Sequence, residues 1–274
     1  MERDQERSRL LKEQGNKHFG EDDFIGAEGL YSKAIIADDS NPSLYTNRAM
    51  ARLRLGLYDS AIADCMASLR LNNRHLKGYF ILSQGLLAIG DCKEALANAL
   101  TGHRLCVESS DKSLSLVTAH VLRCKKAIWE QSERNRYRET AELEYQLFSL
   151  MCQQRVAARN LCTSDFERDL VTEDYDKRIA LLRSTFEKAR AAHEKKRVVP
   201  EWAIDEISFA VMVDPVVTKS GKSYERASIM EHITRYHNDP ITREPLSPKE
   251  LRPNLQLKEA CAEFLEQNGW AADW

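Results

Sequence analysis

The seven cysteines, Cys65, Cys92, Cys106, Cys124, Cys152, Cys162 and Cys261, are scattered along the chain, and none stands in C-x-x-C spacing. Paired Cys and His ligands are what tetrahedral zinc requires. From Ile204 to Trp274 the chain offers only Cys261, His232 and His237. No metal and no cofactor are therefore expected. No cysteine lies in a nucleophile motif, so an enzyme working through its own Cys/His pair is the weakest reading. Three other groups have chemistry to offer. Lys12 and Asn16 are spaced i,i+4 and share a helix face. Asn47 follows Tyr45-Thr46, and Lys77 opens the run Lys77-Gly78-Tyr79-Phe80. The third group is the proline-bearing loop Asp239-Pro240-Ile241-Thr242-Arg243-Glu244-Pro245, preceded by the apolar pair Ile207 and Phe209.

The elements that must position these residues begin with a repeat. Ala27, Ala61 and Ala95 are each 34 residues apart, as are Gly15, Ala49 and Ser83, and Tyr31, Cys65 and Ala99. A 34-residue period with small residues at fixed places is the tetratricopeptide (TPR) signature, one helix pair per unit. The units span about 8–41, 42–75 and 76–109, with a capping helix at Leu114–Trp129, because a repeat stack buries its core only through its neighbours. Lys12, Asn16, Asn47 and Lys77 then fall on first helices, which line the concave groove. Residues 130–199 are charge-rich and helical. Ala141, Tyr145, Phe148 and Cys152 form one narrow seam; Tyr175, Ile179, Leu182, Phe186, Ala189 and His193 form another. This spacing predicts a coiled-coil-like hairpin that turns at 160–165, is capped by Ser164 or Asp165, and ends at Lys195-Lys196-Arg197.

Residues 200–274 combine an apolar loop and a hairpin signal, Val216-Val217-Thr218 and Ser223-Tyr224 around Gly221. A short helix carrying Ile229 and Ile233, the proline-bearing loop, a helix start at Ser247-Pro248 and a last helix between Asn254 and Asn268-Gly269 complete the stretch. Leu246, Leu255, Leu257, Phe264 and Leu265 are read as core, and Trp270 and Trp274 as an exposed tail. The i,i+2 spacing of Ile207 and Phe209 puts both on one side of an extended segment, as core or as contact surface.

This last stretch resembles the U-box, a RING-like ubiquitin-ligase module without zinc. The resemblance implies an apolar docking surface for a ubiquitin-conjugating enzyme, made by Ile207, Phe209, His232, Pro240 and Thr242. It gives Arg243 the role of bridging that enzyme and ubiquitin. The first-helix residues resemble the carboxylate-clamp TPR proteins, which hold the acidic C-terminal tails of cytosolic heat-shock chaperones of the 70-kDa and 90-kDa classes. Lys12, Asn16, Asn47 and Lys77 take the clamp positions, Phe80 an apolar wall, and Asp111 a candidate acidic position. Ile81 stands where that family often has a second basic residue.

Asn or Lys alone on a helix is ordinarily idle, and Arg243 alone is an ordinary surface charge. Their register with the repeat and the loop motif reverses that. The order of TPR array, helical hairpin and U-box resembles the chaperone-associated ubiquitin ligases along nearly the whole chain. The expectation is a mainly α protein with a small α+β RING-like domain at its end, with domains at 8–129, 130–199 and 200–274. It would pass ubiquitin from a conjugating enzyme to misfolded client proteins and form a homodimer through the hairpin. The alternative is a TPR adaptor whose RING-like domain is only a scaffold. The net charge of −2 exerts no global pull toward nucleic acid, and no apolar run approaches a membrane span. Reduced thiols and an N-terminus unlike a signal peptide point to the cytoplasm, with the nucleus open as a second location.

Overall fold

Small side chains at the 34-residue step let six helices stack as three antiparallel pairs: α1 (Gln5–Gly20) with α2 (Phe24–Ala37), α3 (Pro42–Arg54) with α4 (Tyr58–Leu71), and α5 (Leu76–Ala88) with α6 (Cys92–Ser109). Ala27, Ala49, Ala61, Ala95 and Ala99 are all buried. Asp23 and Asp91 accept from the backbone N–H groups of Gly26 and Glu94 and so start α2 and α6; Asn41 does the same for α3, with Pro42 at its first position. Within the second pair, Arg48 makes a two-pronged contact with buried Asp64 at 2.6 and 2.9 Å, and Arg52 joins Asp64 to Glu28 of the first pair. In this computed structural model, residues 4–193 and 198–273 are described. They form two compact units, Met1–Trp129 with Trp202–Trp274, and Glu130–Glu201.

The C-terminal part of the first unit holds a three-stranded antiparallel sheet, ordered β2 (Ser223–Glu225), β1 (Pro215–Val217), β3 (Arg252–Pro253). Val216 stands opposite Tyr224 on one side and Pro253 on the other. Helix α9 (Arg226–Tyr236) lays Ile229 and Ile233 against Val216, Tyr224, Leu246 and Leu251 to make the core. Helix α10 (Leu255–Gln267) starts at Asn254, whose side chain accepts from the Leu257 N–H at 3.1 Å.

Three expectations for this part are corrected. Ser247-Pro248 opens only a 3₁₀ turn, Pro248–Glu250, because Leu251 must already be extended to enter β3. Leu255, the first residue of α10, is 66% exposed rather than core. Asn268 closes α10 as expected, and a Cβ on the following Gly269 would lie 2.2 Å from Cβ of Trp129, so that glycine permits a close approach. Trp270 is half-buried in the turn Gly269–Asp273, edge-on to Phe264 and donating from Nε1 to Asn268. Trp274 lies outside the described residues.

The helix expected to end at Trp129 continues: α7 runs Leu114–Asn160 without interruption, and α8 spans Asp165–His193. In the Glu130–Glu201 unit Ser164 is the cap. Its Oγ accepts from the Glu167 N–H at 3.2 Å, and Glu167 accepts in return from Thr163 and Ser164. Phe148 and Cys152 face Ile179 and Arg183, with Arg183 lying 4.8 Å over the Phe148 ring and Arg155 paired to Asp176 at 2.7 Å. The end at Lys195–Arg197 and the side chain of His193 fall outside the described residues. Among those residues no helix is long and apolar enough to cross a membrane.

Candidate functional site

The stacked first helices bring Asn16 (α1), Asn47 (α3) and Lys77 (α5) into one hydrogen-bonded chain. Lys77 Nζ donates to Asn47 Oδ1 at 2.8 Å, and Asn47 Nδ2 donates to Asn16 Oδ1 at 3.1 Å. Tyr31 completes it, its hydroxyl donating to the same Asn16 oxygen at 2.9 Å. These residues, with Phe19 and Met50, line a cavity of about 240 Å³. Lys12 lies one helical turn before Asn16. Crowding by the groove and the nearby Lys12 charge both hold the Lys77 ammonium below the ordinary lysine value. Among the described residues no carboxylate pairs with Lys12 or Lys77. Two cations and two amides thus converge with donors to spare, the arrangement that receives an anion.

The remaining groove candidates do not line this cavity. Phe80 packs with Cys106, Leu114 and Val117 and meets the His120 ring edge-on at 5.1 Å. Asp111 is exposed in the turn before α7, where its carboxylate accepts from the Ser113 N–H at 2.8 Å. Ile81 is fully buried, so a basic side chain there would enter the core. Tyr31 was visible in the sequence only as a repeat position, and Phe19 and Met50 carried no signal at all.

The two U-box-like loops are built on one plan. In the first, the Asp205 N–H donates to Ala210 O, the Phe209 N–H donates to Asp205 O, and an Asp205 carboxylate oxygen accepts from the Ser208 N–H. In the second, Asp239, Glu244, Arg243 and Thr242 repeat these bonds. Each loop closes with an isolated bridge, Ile204 to Val211 and Asn238 to Pro245. Each places its fifth residue at positive φ, Phe209 at 56° and Arg243 at 59°. Ile207 and Phe209 therefore do not share one side of an extended strand. Ile207 packs on the core while Phe209 is 73% exposed. Thr242 and Arg243 are exposed and Pro240 is half-buried. Ile241, the counterpart of Ile207, is exposed and was missed. His232 faces Asn238 at 3.1 Å and shares with Ile207 a cavity of about 420 Å³ that Thr118 and Leu122 of α7 also line.

Carboxylates hold this framework. Asp205, fully buried, also accepts from the Ser208 and Ser228 hydroxyls and the Glu225 N–H. Asp214 accepts from Arg226 at 2.6 Å and Lys258 at 2.7 Å. Burial would raise its pKa, and these donors outweigh that and hold it low. Asp239 is likewise buried yet held low, by the Ile241 and Thr242 N–H groups and by hydroxyls including Ser220.

Cys124 and His120 do approach, Sγ to Nε2 at 3.7 Å, with Ser83 beside both. Burial pushes the thiol up and drives the imidazole down to about 4, opposite to the thiolate–imidazolium pairing that activates a cysteine. Burial also raises the Cys261 thiol to about 11. Among the described residues no three His, Cys, Asp or Glu side chains gather as a metal site.

The sequence profile of the U-box domain matches residues 199–270. A TPR array ahead of a U-box defines the class as a U-box ubiquitin ligase. The chain is 31% identical over 95% of its length, and 94% of the relative's, to the E3 ubiquitin-protein ligase CHIP of Arabidopsis thaliana. It belongs to the CHIP family of ubiquitin ligases. The reading as a non-catalytic adaptor gives way to this. Over 33% of its length the chain is 34% identical to human serine/threonine-protein phosphatase 5, covering 18% of that enzyme. The first TPR of Spaghetti (RPAP3), solved bound to an HSP90 peptide, aligns at 28% identity and a TM-score of 0.43, covering 46% of this chain and 96% of its own.

Proposed function

We propose that the groove binds the acidic C-terminal tail of cytosolic heat-shock chaperones of the 70-kDa and 90-kDa classes. In the same reading, the U-box holds a ubiquitin-conjugating enzyme and directs ubiquitin to misfolded client proteins for proteasomal degradation, in the cytoplasm, with the nucleus open as a second location. The observation that carries the groove reading is the run of hydrogen bonds from Lys77 through Asn47 to Asn16 with no carboxylate in it. A tail ending in a free carboxylate supplies the missing acceptors. Phe209, Pro240, Thr242 and Arg243 offer the conjugating enzyme an apolar contact with a planar cation at its edge. Ile207 and His232 extend it toward the cavity. Arginine suits the bridging position because its fork can donate to carbonyls on two proteins at once.

Calorimetry with an acidic peptide and its C-terminally amidated twin tests the groove. The free peptide binds, and amidation weakens it strongly. Equal affinities would remove the carboxylate from the account.

The hairpin supports self-association. Tyr137, Leu143, Tyr145, Leu150 and Leu181 are exposed on α7 and α8, an apolar load that a second copy would cover. Light scattering at micromolar concentration should return a dimer mass; a monomer at all concentrations would contradict it.

A further inference from the structure

The groove's hydrogen bonds have a direction. A lysine ammonium has donors only, so Asn47 must turn its oxygen to Lys77 and its NH₂ toward Asn16. Asn16 must then present its oxygen to Asn47. Tyr31, at the far end, fixes the same choice. Burial raises its pKa, so the hydroxyl keeps its proton and donates to Asn16 Oδ1 at 2.9 Å. The ring is 2% exposed and lies hard against α1. A Cβ on Gly15 would sit 2.6 Å from its Cε1, so only glycine one residue before Asn16 leaves the ring its seat. With both acceptor positions of the Asn16 oxygen engaged from inside, its NH₂ is what remains for a ligand.

We infer that Tyr31 is a positioning residue that locks the amide of Asn16 with its N–H groups toward the groove, and so tunes the groove for a terminal carboxylate against a carboxamide. This rests on the anion-binding reading given above. Were Asn16 to flip, its NH₂ would face the Asn47 NH₂, and its carbonyl oxygen would face the incoming anion. Tyr31 touches no ligand in this scheme; it acts through Asn16 alone.

The test uses the full chain, an acidic peptide with a free C-terminus and the same peptide amidated. Tyr31→Phe keeps the ring and its packing and removes only the hydroxyl. The free peptide should bind about three- to ten-fold more weakly to Tyr31→Phe, the scale of one lost hydrogen bond. The amidated peptide should be unaffected. In an Asn16→Ala background Tyr31→Phe should cost nothing further, because its effect passes through Asn16. Equal weakening of both peptides, an undiminished loss in the Asn16→Ala background, or no change in free-peptide affinity would overturn the positioning role. A wild-type chain that does not distinguish the two peptides would instead overturn the anion-binding reading itself.

Discussion

The groove and the U-box loops use the same chemistry in opposite senses. In the loops, the carboxylates of Asp205, Asp214 and Asp239 collect donors from their own backbone, hydroxyls and cations. In the groove, Lys12, Lys77, Asn16 and Asn47 have more donors than the fold has acceptors for. The first inventory closes on itself and makes structure. The second stays open, as the proposed site requires. A polar cluster is thus diagnosed by whether its hydrogen bonds balance.

The sharpest way to break this contrast is Asp205→Ala. The Ser208 and Glu225 N–H groups and two hydroxyls lose their acceptor in a buried place, a loss of about 3–5 kcal/mol in stability. Denaturant unfolding of the full chain measures it, and a change under about 1 kcal/mol would show that the loops are held otherwise. Lys77→Ala should behave in the reverse way. Its partner in the fold is Asn47, so stability should hardly move, while affinity for a free-carboxylate peptide falls by about 1.5–3 kcal/mol. A large drop in melting temperature would instead make Lys77 structural.

Arg243 sits at an exposed, left-handed position with no role in the loop's own backbone-holding carboxylate set. Arg243→Ala should slow discharge of a preformed ubiquitin thioester onto free lysine by about ten-fold, roughly 1.4 kcal/mol. Binding of the uncharged conjugating enzyme should stay within a few-fold, because contacts made only in the reactive arrangement alter rate. Abolished binding would make Arg243 a docking residue.

The last effect is a dependence on pH and concerns Glu225. One of its oxygens accepts from the Val213 and Asp214 N–H groups and the other has no partner. Burial raises its carboxyl from 4.5 to about 7, against the pull of those two N–H groups. The folded state therefore holds a proton that the unfolded chain releases at lower pH. Stability from this group is full below pH 4.5 and falls as pH rises through 7, by up to about 1.4 kcal/mol per pH unit. Buried His103 and His120 have lowered values and act oppositely on the acid side, so the difference between wild type and Glu225→Gln isolates the carboxyl. Parallel stability curves for the two proteins from pH 5 to 8 would contradict the assignment.

Much of this was legible from spacing. The 34-residue step located the helix pairs, because burial of Ala27, Ala61 and Ala95 is imposed by helix approach and leaves a mark in residue size. Asn254 and Ser164 were readable as caps for a similarly local reason. What spacing could not reveal depends on contacts that residue type and period do not mark. Charge composition does not report where a helix ends when its next turns find new partners, so α7 was cut at Trp129 although it runs to Asn160. Phe209 looked like part of a strand because the left-handed turn that exposes it is set by Asp205, four residues away. Tyr31 joined the groove only once the fold brought its hydroxyl to Asn16.

The central claim is that one chain couples the open groove to the U-box. The direct test is a reconstituted reaction of the full chain with a conjugating enzyme, ubiquitin and a protein ending in an acidic tail, read as ubiquitin attached to that protein. Modification should be strong with the intact tail. It should be lost when the tail is deleted, when Lys77→Ala empties the groove, or when Phe209→Asp charges the exposed docking loop, while Lys77→Ala leaves self-modification of the ligase intact. Equal modification of the tailed and tailless proteins would contradict the account.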